Sequence, residues 1–94
     1  MPPQTDMADE ETLFEFPCRF PIKVMGKADE AFEMEVVQII RRHVPDLPEA
    51  AITRRDSKQN NYAALTIVIE ATSRDQLDAI YQDLTSSDLV LMAF

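Results

Sequence analysis

The apolar residues of this chain change from alternate positions to helical intervals and back, and they do so twice. That double switch constrains the fold more tightly than any compositional figure. The first alternation is FPCRFPIKVM, where Phe20, Ile22 and Val24 point one way while Arg19, Pro21 and Lys23 point the other. Pro17 and Pro21 lack backbone donors, so either this strand lies at a sheet edge or its pairing begins only after Pro21. Gly26 and Lys27 are read as the turn that leaves it. From Asp29 onward, Phe32, Val36, Ile39, Ile40 and His43 recur at helical spacing. Asp29 and Glu30 stand at the positive end of that helix, and Arg41, Arg42 and His43 at its negative end. Pro45 and Pro48 stop it and open a loop.

The second half repeats the switch. Ala51 to Arg55 is a short strand, and the polar run Asp56 to Asn61 turns it into a hairpin. Tyr62 to Ala71 is the strongest strand pattern, with Leu65, Ile67 and Ile69 on one face and Tyr62, Ala64, Thr66 and Val68 on the other. Ser73 with Gln76 three residues later matches a capping box, and Leu77, Ile80, Tyr81 and Leu84 make the stripe of a second helix. Thr85, Ser86 and Ser87 end it, and the apolar run after Asp88, up to Phe94, is too short for a buried helix and reads as a strand. The order strand, helix, strand, strand, helix, strand, joined by right-handed crossovers, predicts an α+β ferredoxin-like βαββαβ domain. Its four strands form one antiparallel sheet with both helices on one face.

Composition narrows the chemistry. Of 94 residues one is glycine (Gly26), one is cysteine (Cys18) and one is histidine (His43). A glycine-rich phosphate loop, a CxxC redox or zinc framework and an internal disulfide all need more of these residues, so neither cofactor nor metal is expected. The formal charge is -8, of which residues 1–16 hold -5 and the other 78 residues -3. Residues 1–12, MPPQTDMADEET, are expected to be a disordered acidic tail, and residues 13–94 the single folded domain. No basic leader with an apolar run and no long apolar span is read, so a cytoplasmic protein off the membrane is expected. An acidic surface repels phosphate backbones, and nucleic acid is not expected as a partner.

In such a fold one sheet face meets helices and the other meets solvent. The third strand and the last strand are nevertheless apolar on both faces, so a second copy is expected to cover what the chain cannot, with Ala64, Val68 and Leu91 in the contact and a dimer as the product. The plain alternative is that these are small exposed hydrophobes of the kind monomers tolerate.

The segments FPCRFPIKVMG, VVQIIRRHVPD, SKQNNYAALTIVIEATSRDQL and DLVLMAF together resemble the YbeD-like family of small bacterial proteins, over roughly residues 13–94. The resemblance implies a ferredoxin-like fold similar to the ACT domain, a module that binds small ligands and regulates metabolic enzymes. It implies no catalytic residues. The chain departs from the family in the hairpin, where Asn60 stands in place of a glycine before Asn61 and Tyr62, and asparagine tolerates the left-handed region that such a turn needs.

Met25, Gly26 and Lys27 are the candidate ligand site, because ACT-like domains use the turn after strand one and glycine lets a ligand approach the backbone. Asp29 and Glu30 would repel an anion there, which favours a purely structural turn. Arg54, Arg55, Lys58 and Tyr62 form the one basic concentration, either a docking patch for an acidic partner or for the protein's own acidic tail, or a charged edge strand that discourages stray pairing. A rival of the same strand order, acylphosphatase, would need an arginine where this chain reads MGKADE. Cys18 is read as a half-buried small hydrophobe and His43 as a helix-end contact, not as a nucleophile and a base. The expected role is thus non-enzymatic. It is an ACT-like regulatory or adaptor domain that self-associates and docks on a metabolic enzyme, with a small-molecule ligand as an added option and a weak acylphosphatase-like hydrolase or a ligand-free interaction module as alternatives.

Overall fold

The computed structural model describes residues 15–59 and 61–94. The expected tail over residues 1–12, the domain start at residue 13 and the turn residue Asn60 lie outside the described residues. Strand β1 (Cys18–Lys27) leads to helix α1 (Glu30–His43), a single 3-10 turn (Glu49–Ala51), β2 (Ile52–Asp56), β3 (Tyr62–Ala71), α2 (Arg74–Thr85) and β4 (Val90–Ala93). The four strands form one antiparallel sheet in the order β2-β3-β1-β4, so the two long strands are central and the two short ones are edges. This is the α+β ferredoxin-like arrangement that the double switch predicts.

Both helices start where the sequence supplies an oxygen to their free amides. The Asp29 carboxylate accepts a hydrogen bond from the Phe32 N–H at 2.8 Å, and the Ser73 hydroxyl accepts one from the Gln76 N–H at 3.0 Å. The second cap is not a closed box, because the Gln76 side-chain oxygen accepts from the Thr72 N–H at 2.8 Å and not from Ser73. Phe32, Val36, Ile39 and Ile40 of α1 and Leu77, Ile80 and Leu84 of α2 are buried against Ile22 and Val24 of β1 and Leu65, Ile67 and Ile69 of β3. Among the described residues the buried set contains no polar or charged side chain. Each large aliphatic residue removed from water there contributes about 1.5–3 kcal/mol before entropy is charged against it.

Two expectations about β1 are corrected. Gly26 and Lys27 do not form an exit turn; they are the last residues of the strand, paired with Ala63 and Tyr62, and Gly26 has no positive φ. The chain turns instead at Ala28 and Asp29, where the Ala28 N–H donates to the Asn61 carbonyl at 3.2 Å. Nor is β1 an edge strand. Pairing with β3 runs from Cys18 through Pro21, opposite Val68, to Lys27, while pairing with β4 reaches only Val24 to Gly26, flanked by the bonds between Lys23 and Phe94. Lys23 donates its N–H to the Phe94 carbonyl at 2.7 Å, so residues of the same parity, Pro21 among them, face the β4 side. At Pro21 that side is already past the end of β4, and a missing donor costs nothing there.

Candidate functional site

Strand parity sends alternate residues of β1 and β3 away from the helices, and the register then assembles them into cross-strand rows. One row reads Met92, Met25, Ala64, Arg55 from β4 to β2, and the next reads Phe94, Lys23, Thr66, Thr53. Beyond these, Pro21 stands opposite Val68 and Arg19 opposite Glu70, and at the other end Lys27 stands opposite Tyr62. No element of the described chain covers this face. Met25, Ala64, Thr66 and Val68 are half-buried by their neighbours, whereas Tyr62 is 48% exposed, Met92 54% and Phe94 55%.

The charge on this face is opposite to that of the rest of the molecule. Arg19, Lys23, Lys27 and Arg55 stand on it, all exposed, against the single carboxylate of Glu70. The remaining described residues carry five Lys and Arg against twelve Asp and Glu. Among the described residues none of the four face cations forms an ion pair within 4 Å.

The two sheet edges, both unpaired among the described residues, differ as well. β2 presents Thr53, Arg54, Arg55 and Asp56, a charged edge that discourages pairing. β4 is apolar throughout, with Leu91 59% exposed beside Met92 and Phe94. A register shift between Met25 and Gly26 places the bulge of the β1–β4 ladder next to Leu91.

The predicted site residues are thereby sorted. Ala64 and Val68 lie together on the open face, while Leu91 lies apart from them on the β4 edge. The basic group Arg54, Arg55, Lys58 and Tyr62 is split by the pleat. Arg55 and Tyr62 face outward and Lys58 sits in the exposed hairpin loop. Arg54 turns to the helix side, donating to Asp56 at 2.8 Å and to Glu33 of α1 at 2.9 Å. These contacts take Arg54 out of the predicted patch, and the hydrogen bonds to Asp56 and then to Glu33 push its guanidinium above its ordinary value.

Of the expected ligand residues, Met25 and Lys27 stand on the open face, whereas Gly26 between them borders no open space. A Cβ built on Gly26 would lie 2.5 Å from the Leu89 carbonyl oxygen and closer still to the Phe32 ring. The glycine is there so that Phe32 and the chain entering β4 can press against β1, which accounts for the missing side chain without a ligand. The nearby amide of Phe32 is already occupied by Asp29. A groove of about 630 Å³ lies elsewhere, between α1 and β2, where Glu30, Glu33, Glu49 and Arg41 surround Met34 and Ile52. His43 bridges the helices, its Nε2 lying 2.6 Å from the Asp83 carboxylate of α2, and Cys18 is half-buried against the core.

The face residues that sequence reasoning passed over are Arg19, Lys23, Lys27, Met92 and Phe94 as members of one surface. The alternation of FPCRFPIKVM places Arg19 and Lys23 opposite the apolar set, but the rows need the β1–β3 and β1–β4 register, which periodicity does not supply. No helix among the described residues is long and apolar enough to cross a membrane.

Comparison with known proteins gives the same picture of kinship and fold. Residues 11–94 match the model of a family described as protein of unknown function DUF493. The chain is 46% identical over 87 residues to a UPF0250 protein of Chromobacterium violaceum, covering 92% of this chain and 98% of that protein. It is 43% identical over 83 residues to a UPF0250 protein of Nitrosomonas europaea, covering 88% and 95%. Two solved structures are similar in fold. Protein HP0495 from H. pylori has a TM-score of 0.70 at 11% identity, covering 99% of this chain and 98% of that one. The uncharacterized protein TM1266 from Thermotoga maritima has a TM-score of 0.62 at 14% identity, covering 81% and 90%.

Proposed function

This chain belongs to the DUF493 family of proteins of unknown function, whose similar relatives are bacterial UPF0250 proteins, and from that premise we propose that it is a non-enzymatic adaptor or regulatory domain that pairs with a second copy of itself through the free edge of β4. The observation that carries this reading is the contrast between the edges. Natural sheets blunt exposed edges with charge, as β2 does, whereas β4 offers backbone groups that no described residue pairs, flanked by Leu91, Met92 and Phe94, each more than half exposed. A second β4 laid antiparallel would continue the sheet and cover these side chains.

The edge also suits a symmetric contact better than the open face does. Two open faces laid together would set Arg19, Lys23, Lys27 and Arg55 against their own copies, which costs energy in any geometry that excludes water. Edge pairing leaves both cationic faces in solvent and on the same side of a continuous sheet. Ala64 and Val68 then serve a contact other than self-association.

Sedimentation of the wild-type chain against Leu91→Lys tests this. The wild type sediments as a dimer at on the order of 50 μM, and the variant as a monomer with the same circular dichroism spectrum. A wild-type monomer, or a variant that remains dimeric, overturns the proposal.

A further inference from the structure

We propose that the outer sheet face is a docking surface for an acidic, partly apolar stretch of a partner polypeptide, with Arg19, Lys23, Lys27 and Arg55 as the charge contacts and Met25 and Val68 as the apolar floor. The inference rests on reading the chain as a docking module, but not on how its copies pair. Three observations carry it. The face is uncovered by any described element, its charge is opposite to that of the rest of the domain, and its four cations have no carboxylate partner within 4 Å among the described residues. Charge complementarity of this kind selects partners and sets their register on a surface.

The chemistry of the floor decides which anion fits. Single-stranded nucleic acid needs aromatic platforms under its bases, yet the aromatics of this face, Tyr62 and Phe94, sit at one end and at the β4 side. Met25, Ala64, Thr66 and Val68 occupy the middle. Methionine and valine instead accept aliphatic side chains, and methionine adapts its shape to them. Glutamates and leucines in alternation on an extended segment would meet both the cations and the floor. A second copy is disfavoured as the occupant of this face because its own face carries the same sign.

The test is titration of the full-length, nitrogen-15-labelled chain with a synthetic peptide of alternating glutamate and leucine, followed by amide shifts in NMR spectra, with oligothymidylate in a parallel arm. The amides that shift most are expected to be those of β1 and β3, around Lys23, Met25, Thr66 and Val68. Binding weakens as salt rises. The exposed pair of changes Lys23→Glu and Arg55→Glu weakens it about tenfold or more, while Arg42→Glu at the far end of α1 leaves it within about twofold. Leu91→Lys, which breaks the proposed self-contact, binds the peptide at least as tightly as the wild type, so the two readings stand or fall separately. Absent binding, shifts centred on the α1–β2 groove, equal loss in Arg42→Glu, loss in Leu91→Lys, or oligothymidylate binding as tightly as the peptide would each overturn the proposal.

Discussion

Gly26 is buried inside β1, and a side chain there has nowhere to go, because the Phe32 ring and the Leu89 carbonyl oxygen already fill the space. Gly26→Ala is therefore expected to cost about 1–3 kcal/mol in urea unfolding, the range of core overpacking. Adding Phe32→Leu should recover part of that loss, since the two side chains compete for one volume. An alanine variant of wild-type stability would contradict this packing account and return the position to the ligand reading. That a lone glycine marks a constrained place was legible in the sequence; that the constraint is a ring from α1 was not, because it depends on a contact six residues ahead. Tyr81 on α2 adds a pH effect. Burial raises its phenol above the ordinary 10.0, so the neutral form is the one the fold favours. Its contribution is complete below about pH 10 and is lost as pH rises through the raised value. Tyr81→Phe should flatten the alkaline decline of stability above about pH 10, and an unchanged slope would contradict the assignment.

At the scale of elements, the periodicities of Phe20 to Val24, Phe32 to His43, Tyr62 to Ala71 and Leu77 to Leu84 correspond to β1, α1, β3 and α2, since each reflects one buried face. Asp29 and Ser73 mark both helix starts because capping is local and reads directly from residue type. The place of β1 was less legible. Two prolines leave open an edge position or pairing that begins only after Pro21; the strand is central, paired with β3 from Cys18, and, as only the register reveals, pairing begins after Pro21 on the β4 side alone. The basic cluster misled for the same reason. Neighbours in sequence, Arg54 and Arg55 lie on opposite faces of a pleat, and Arg54 is taken by Glu33 and Asp56. The two edge strands differ in composition, with charged residues along β2 and apolar residues along β4.

At the scale of the molecule, the sheet divides the domain into a helical side that holds the core and a cationic side that holds nothing of the described chain. The net charge read from composition hid this division, because a formal -8 summed over the whole chain conceals four cations gathered on one face by strand register. The fold was legible because burial imposes a period on each element. The open face was legible as a surplus of apolar residues in β3 and β4 and as the alternation that sets Arg19 and Lys23 of β1 opposite the core, but only the register joins Arg55 of β2 and the β4 residues to them. The claim that this chain works by contact through β4 is tested most directly at one backbone group. Phe94 exchanges both bonds with Lys23, so the Ala93 N–H points away from β1 toward the free edge. Hydrogen exchange of the Ala93 amide, measured across a dilution series, should show protection that grows with protein concentration while core amides of β3 stay constant. An Ala93 amide that exchanges freely at every concentration would contradict pairing through this edge.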